Sequence, residues 1–311
     1  MISPEQCDID RMSHVPGPGD LELSDVLPLS GGVSGSEVAR ARLSGQDVVV
    51  KRTSHSELVA LRLFADLDEP MLPVLLASGI DDRGPWIVIP FHSGEPVGIM
   101  GEAPDIVHRC IGRLHASFVG RTSGLAGDLE PIDEEFVRRA LTEFGPDQLR
   151  RARGVLREQL FTRASHLLDR LATDADFGSC VAGFTPTVLH GDLYGLNVLR
   201  STGPGSVPLI IDWNAARIGP AMFDTAMTSA YDSSARRAHD QGWAEIAGAS
   251  PDESENRVAH AWSSALINAM YAGTVAVRSS ARDAEQMIMI AEESLRTFRL
   301  LRRRGRAARL T

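Results

Sequence analysis

The chain changes character near residue 92, and that change limits the folds open to it. Before it, apolar residues come in short runs suited to strands, at 21–30, 37–43, 48–52, 74–80 and 85–91. "EVARARL" (37–43) alternates apolar and polar side chains, as a half-buried strand does, and "SGQD" (44–47) is a turn leading into "VVVKR" (48–52). One helix interrupts the strands at 54–67, with Ser54 or Ser56 as its N-cap and Leu58, Leu61, Phe64 and Leu67 near helical spacing. Beyond residue 103 the period is mostly helical. Residues 104–118 place Ile106, Val107, Cys110, Ile111, Leu114 and Phe118 on one stripe. Residues 133–173 read as one or two helices, and 257–277 and 283–303 as two more, while 186–212 returns to strand, loop and hairpin. The order predicts an α+β, bilobal chain: a loose lead-in over 1–20, a small antiparallel β-sheet lobe with one helix over 21–92, and a larger, mainly helical lobe over 93–311.

The bulk numbers narrow the function classes. The formal net charge of the 311 residues is −9. Residues 296–311 hold seven arginines and no acid, so residues 1–295 carry −16. An acidic body argues against nucleic acid as a partner; it would tolerate a cationic small substrate, though surface acid that serves solubility is the plainer reading. The basic C-terminal stretch reads as a solvated end. Cys7, Cys110 and Cys180 are far apart and lack metal-type spacing, so neither a disulfide framework nor a zinc site is expected. The first ten residues lack the basic and apolar regions of a secretory signal, and no run of 18 apolar residues would span a membrane. A cytoplasmic location is the expectation.

The densest chemistry lies in "VLHGDLYGLNVLR" (188–200) and "PLIIDWNAARIGPAMFDTA" (208–226). Asp192 and Asn197 are five residues apart on a loop after an apolar run, and Asp212 ends a second such run. Between them "STGPGSVP" is rich in turn formers, so a β-hairpin would bring Asp212 back beside Asn197. A carboxylate and an amide oxygen converging there suit Mg²⁺, particularly where phosphate completes the shell. Asp192 would be left to meet a substrate hydroxyl. In the other half of the chain, one residue type is conspicuous. Of 32 basic side chains only Lys51 is lysine, and it ends the third strand run.

His190-Gly191-Asp192 through Asn197, followed by Ile211-Asp212-Trp213, resembles the aminoglycoside phosphotransferase family, whose fold is protein-kinase-like. The resemblance follows motif order over roughly 25–230. It implies an ATP- or GTP-dependent phosphotransferase that uses Mg²⁺ and acts on a hydroxyl of a small molecule, an antibiotic first among them. It implies that Lys51 contacts the α- and β-phosphates and pairs with Glu57 in the following helix. An ammonium is a compact charge that a guanidinium would not replace there. By the same resemblance Gly31, Gly32, Ser34, Gly35 and Ser36 cover the phosphates, and Pro90, Phe91 and His92 form the adenine-contacting connector. Asn197 and Asp212 take the metal, Asp192 is catalytic, and Asp224 holds the catalytic loop. His190 and His115 are read as structural. Asp212-Trp213-Asn214 stands where protein kinases have D-F-G, and no A-P-E follows, which points away from a peptide acceptor. A metabolic kinase for choline, homoserine or a sugar is the alternative. A non-catalytic pseudokinase fits less well, because the lysine and both aspartates are present.

Overall fold

The computed structural model describes residues 21–29, 37–98, 102–201 and 207–308. They divide into two compact units, one of residues up to 96 together with 198–215, the other of 97–197 together with 216 onward. Residues 198–215, which the sequence pattern assigns to the helical lobe, therefore group with the strands.

In the first unit five strands form one antiparallel sheet: β1 (Leu23–Pro28), β2 (Val38–Leu43), β3 (Gln46–Arg52), β4 (Ala77–Asp81) and β5 (Gly84–Pro90), in the order β1-β2-β3-β5-β4. Ser44 and Gly45 join β2 to β3 with φ of 51° and 83°, the paired positive angles that a tight hairpin turn needs. The period-two alternation of β3 puts Val48 and Val50 on one face, in a core with Ala41, Trp86 and Val88. Lys51 therefore falls on the opposite face, level with Ile87 on β5. Helix α1 (His55–Phe64) starts three residues after β3 and buries Leu58, Leu61 and Phe64. A smaller sheet, β6 (Gly94–Pro96), β8 (Val198–Ser201) and β9 (Leu209–Ile210), contains the expected hairpin, with Val198 opposite Ile210.

The second unit is helical apart from β7 (Pro186–Leu189) and β10 (Arg217–Pro220), which pair antiparallel. Its helices are α2 (Asp105–Phe118), α3 (Glu134–Arg139), α4 (Gly145–Arg151), α5 (Glu158–Ala172), α6 (Ala175–Ser179), α7 (Met222–Thr228), α8 (Ser234–Ala247), α9 (Glu253–Arg278) and α10 (Ala281–Ala308). The core includes the contacting rings of Phe177, Trp262 and Phe298, and also the buried Phe223. The stretch 133–173 breaks into α3, a π-helical turn, α4 and α5. One reason is that Pro146 has no N–H to offer the carbonyl of Thr142. On α2 the stripe holds except at Ile106, which is 45% exposed. At about 100° per residue it stands off the line of Val107, Cys110, Ile111, Leu114 and Phe118.

A second buried arc of α2, His108, Gly112 and His115, has no counterpart in the apolar pattern. It faces α8. A Cβ on Gly112 would stand 2.0 Å from the His239 carbonyl oxygen, and one on Gly242 1.9 Å from that of Arg109. The two helices thus meet backbone to backbone, a contact that only glycine permits. Among the described residues no helix is long and apolar enough to cross a membrane.

Candidate functional site

In the first unit Lys51 is the centre of a charged cluster. Its Nζ lies 2.8 Å from Glu57 Oε2 and 2.7 Å from Asp212 Oδ1, and the lysine is 9% exposed. Glu57 also accepts from Thr53 Oγ1 and, at 3.2 Å, from the Trp213 backbone N–H. Burial opposes the ammonium charge, but Glu57 and Asp212 outweigh it and hold the Lys51 pKa above its ordinary value. The short loop from β3 to α1 is tight enough for this pairing because Ser54 caps the helix, its Oγ accepting from Glu57 N–H at 3.1 Å.

Asp212 sits in the left-handed region, φ 64°, which is uncommon for a residue with a Cβ. Neighbouring contacts hold it there. Asn214 Nδ2 donates to Asp212 Oδ1 at 2.5 Å, and Asn214 Oδ1 accepts from Ser54 N–H at 3.0 Å. Ser54 Oγ donates in turn to the Asn214 carbonyl at 3.2 Å. Trp213 is fully buried, edge-on to Phe64 with centroids 4.5 Å apart, and its Nε1–H donates to the Ile210 carbonyl. The turn after β9 is thereby locked to the start of α1. Pro90 ends β5 opposite Val48, and Phe91 N–H donates to the Asp47 carbonyl at 3.0 Å while its ring lies under Arg40. His92 follows, its carbonyl accepting from Gly94 N–H. Gly31, Gly32, Ser34, Gly35 and Ser36 lie outside the described residues.

In the second unit the loop after β7 carries Asp192 and Asn197. Gly191 takes φ 78°, which turns the chain so that Asp192 N–H meets His190 Nδ1 at 3.2 Å. Asn197 is 5% exposed and donates Nδ2 to the Asp192 carbonyl at 2.8 Å and to its Oδ2 at 3.3 Å. Asp192 itself is half-buried. Behind the loop, on α7, the fully buried Asp224 accepts from His190 N–H at 2.7 Å, from Gly191 N–H at 2.9 Å and from His115 Nε2 at 3.2 Å. Burial alone would raise the Asp224 pKa. The His115 bond, the nearby imidazoles and the Gly191 N–H reverse that and hold it below the ordinary carboxylate range.

Three residues here escaped the sequence reading. Thr53 and Asn214 have no spacing signal, though Asn214 stands two places after Asp212. His239, on α8, comes beside His115 only through helix packing. Among the described residues no three His, Cys, Asp or Glu side chains cluster to hold a metal by themselves.

Residues 25–258 match the phosphotransferase enzyme family. A search of curated protein sequences finds none that matches. Solved structures give the fold. A Ralstonia eutropha chain assigned as an aminoglycoside phosphotransferase superposes with a TM-score of 0.57 at 15% identity, covering 92% of this chain and 96% of that one. A mutant aminoglycoside 2′-phosphotransferase-IIIa, solved with GDP, gives 0.53 at 18% identity, over 96% of each chain. Spectinomycin phosphotransferase, solved with ADP and spectinomycin, gives 0.51 at 12% identity, over 89% of this chain and 94% of that one. The α+β fold is thus that of the aminoglycoside kinases.

Proposed function

The chain belongs to the phosphotransferase enzyme family, and from that premise we propose that it transfers the γ-phosphoryl group of ATP to a hydroxyl of a small molecule. Asp192 orients the acceptor hydroxyl and takes its proton, late where the transition state is loose. Lys51 binds the α- and β-phosphates, with Glu57 fixing the ammonium. Residues 31–36 cover the phosphates, and 90–92 contact the base.

One observation supports this reading above the others. Lys51, Glu57 and Asp212 meet in a buried cluster although Lys51 and Asp212 are 161 residues apart. A buried ammonium between two carboxylates is costly to assemble and poor as a mere source of stability. It is well suited to exchange a carboxylate oxygen for a phosphate oxygen.

Asn197 and Asp212 are the residues that would hold Mg²⁺, which neutralises charge across the transferring phosphates when bound. Their donor chemistry fits a hard cation. Asn197 spends its Nδ2 on Asp192, so its carbonyl oxygen is the atom it has to offer.

The nucleotide and acceptor follow the relatives. ADP and GDP in the solved neighbours favour a purine nucleotide donor. The spectinomycin bound by one of them favours a hydroxyl-bearing antibiotic as acceptor and a cytoplasmic resistance or self-protection role. The test is an ADP-release assay over aminoglycosides, peptide and nucleoside antibiotics, macrolides, choline-like amines and sugars, with product mass showing one added phosphate. Asp192→Ala should lower kcat by about 10²- to 10⁴-fold on any acceptor found. No phosphorylated product across the panel, or wild-type turnover in that variant, would sink the proposal.

A further inference from the structure

The carboxylate that holds the loop of residues 190–192 does not end the chain of contacts behind that loop. His115 Nε2 meets Asp224 Oδ2 at 3.2 Å, His115 Nδ1 meets His239 Nε2 at 3.0 Å, and His239 Nδ1 meets Asp240 Oδ1 at 3.3 Å. Asp224, His115 and His239 are fully buried, and only Asp240 reaches the surface, where Arg236 pairs with its other oxygen. The described groups facing the two rings are few. They are Asp224 on α7, Asp240 and Arg236 on α8, His108 about two turns away on α2 with Asp105 near it, and His190 on the loop; Glu253, at the head of α9, holds Arg236.

Counting protons exposes a mismatch. Three contacts at hydrogen-bond distance need three protons, one for each. Two neutral imidazoles carry two. With both carboxylates ionised, one contact is left with a lone pair against a lone pair. The helices cannot drift apart to relieve it easily, because Gly112 and Gly242 bring α2 and α8 into backbone contact. One proton from water removes the mismatch and leaves the carboxylate–imidazole–imidazole–carboxylate chain at a net charge of −1, next to Arg236.

We propose that Asp224, His115, His239 and Asp240 are a single proton-binding unit, and that His115 and His239 are positioning residues which set how firmly Asp224 grips the backbone N–H groups of His190 and Gly191. With the third proton in place the imidazole pair facing Asp224 is cationic, every contact in the chain has its proton, and the grip is strong. Without it one link of the chain fails, and the loop loosens. Burial lowers the pKa of His239, so the proton is held on the acid side and released as pH rises. One added proton serves all three contacts, so the two rings form a single binding site for it. The proton-binding unit stands on the geometry alone. Its bearing on turnover rests on the reading of Asp192 given above.

The test needs no acceptor. Nitrogen-15 NMR of the imidazoles in the full chain, across roughly pH 5 to 9, should show His115 and His239 taking up one proton together. Asp240→Asn supplies an amide N–H to neutral His239 Nδ1, satisfying all three contacts with two protons, so that titration should vanish. Amide exchange of His190 and Gly191 should speed up by about ten-fold in His239→Ala, while amides in the middle of α9 keep their wild-type rates. Should His239→Ala fail to fold, His239→Gln retains a donor toward His115 but cannot carry the extra proton, and the same two measurements apply. Rings that stay neutral and independent throughout, an Asp240→Asn variant that titrates like wild type, or amide exchange indifferent to residue 239 would each overturn the proposal. The acceptor panel described above separates the two readings. If it yields no phosphorylated product while the NMR result holds, the phosphotransferase assignment of Asp192 has failed and the proton unit has not.

Discussion

Both units hold a loop in place with a buried acid, but they answer its charge by different means. In the first, the carboxylates of Glu57 and Asp212 face a permanent cation, Lys51, and Asp212 keeps a quarter of its side chain exposed. In the second, Asp224 is sealed in and faces two backbone N–H groups and an imidazole. The first arrangement can exchange partners, since a lysine can trade one oxygen for another and a freed Asp212 carboxylate still touches water. The second cannot, because nothing in the interior would replace the three donors. The contrast separates a cluster suited to handling a ligand from one suited to holding a backbone.

The largest effect expected from breaking that contrast is at Asp224. Asp224→Ala leaves three buried donors without an acceptor and should cost about 3–5 kcal/mol of stability. Lys51→Met leaves Asp212, which solvent partly reaches, and the buried Glu57, which keeps its Thr53 and Trp213 donors, and should cost about 1–3 kcal/mol while abolishing tight nucleotide binding. Urea unfolding of the two variants decides the matter. A larger loss at Lys51 than at Asp224 would reverse the comparison.

Acid should act chiefly through the second unit. Burial, followed by the charge of His239, lowers the His108 pKa to about 4, and burial lowers that of His260 to about 4. Both groups are ordinary imidazoles once unfolded, so between about pH 6.5 and 4 the unfolded chain binds more protons. Their contribution to stability is complete above about pH 6.5 and is lost as pH falls toward 4, on the order of 3 kcal/mol for each. Stability measured against pH should lose part of that slope in His108→Gln. An unchanged slope would show that His108 is not buried in its neutral form.

The same contrast separates what the sequence made legible from what it did not. Lys51, Glu57 and Asp212 could be placed from residue type and order, because chemistry restricts each to one or two side chains, and β-strand alternation fixes which way Lys51 faces. His239 could not. Its meeting with His115 depends on how α2 crosses α8, and that crossing is set by two glycines whose signal in sequence is merely the absence of a side chain. Likewise the apolar stripe of α2 was readable, but its second buried arc was polar and left no mark in the hydrophobic period. Gly242→Ala probes this directly. Helix propensity would favour alanine by about 1 kcal/mol. The new Cβ, however, would stand 1.9 Å from the Arg109 backbone oxygen, which has no rotamer to retreat to. A net loss of about 1–3 kcal/mol is expected, with faster amide exchange at His190 and Gly191 as the two histidines separate. A variant as stable as wild type would mean that the helices can slide apart freely, and the brace would lose its rigidity.

The smallest expected effect tests how the first unit joins its cation to its turn. Ser54 Oγ accepts from Glu57 N–H and donates to the Asn214 carbonyl, so one hydroxyl both caps α1 and ties it to the turn that carries Asp212. Removing it in Ser54→Ala should cost about 1 kcal/mol, the ordinary worth of an N-cap, with the Ser54 backbone N–H still donating to Asn214 Oδ1. Ser54→Asp keeps an acceptor for Glu57 N–H but adds a negative charge near Glu57 and cannot donate to the Asn214 carbonyl. If capping is the whole role, Ser54→Asp restores stability to within a few tenths of a kcal/mol of wild type. If the hydroxyl also sets the turn, stability returns but nucleotide affinity does not. Parallel unfolding and ADP-binding titrations of the two variants distinguish these outcomes, because only the second couples the start of α1 to the position of Asp212.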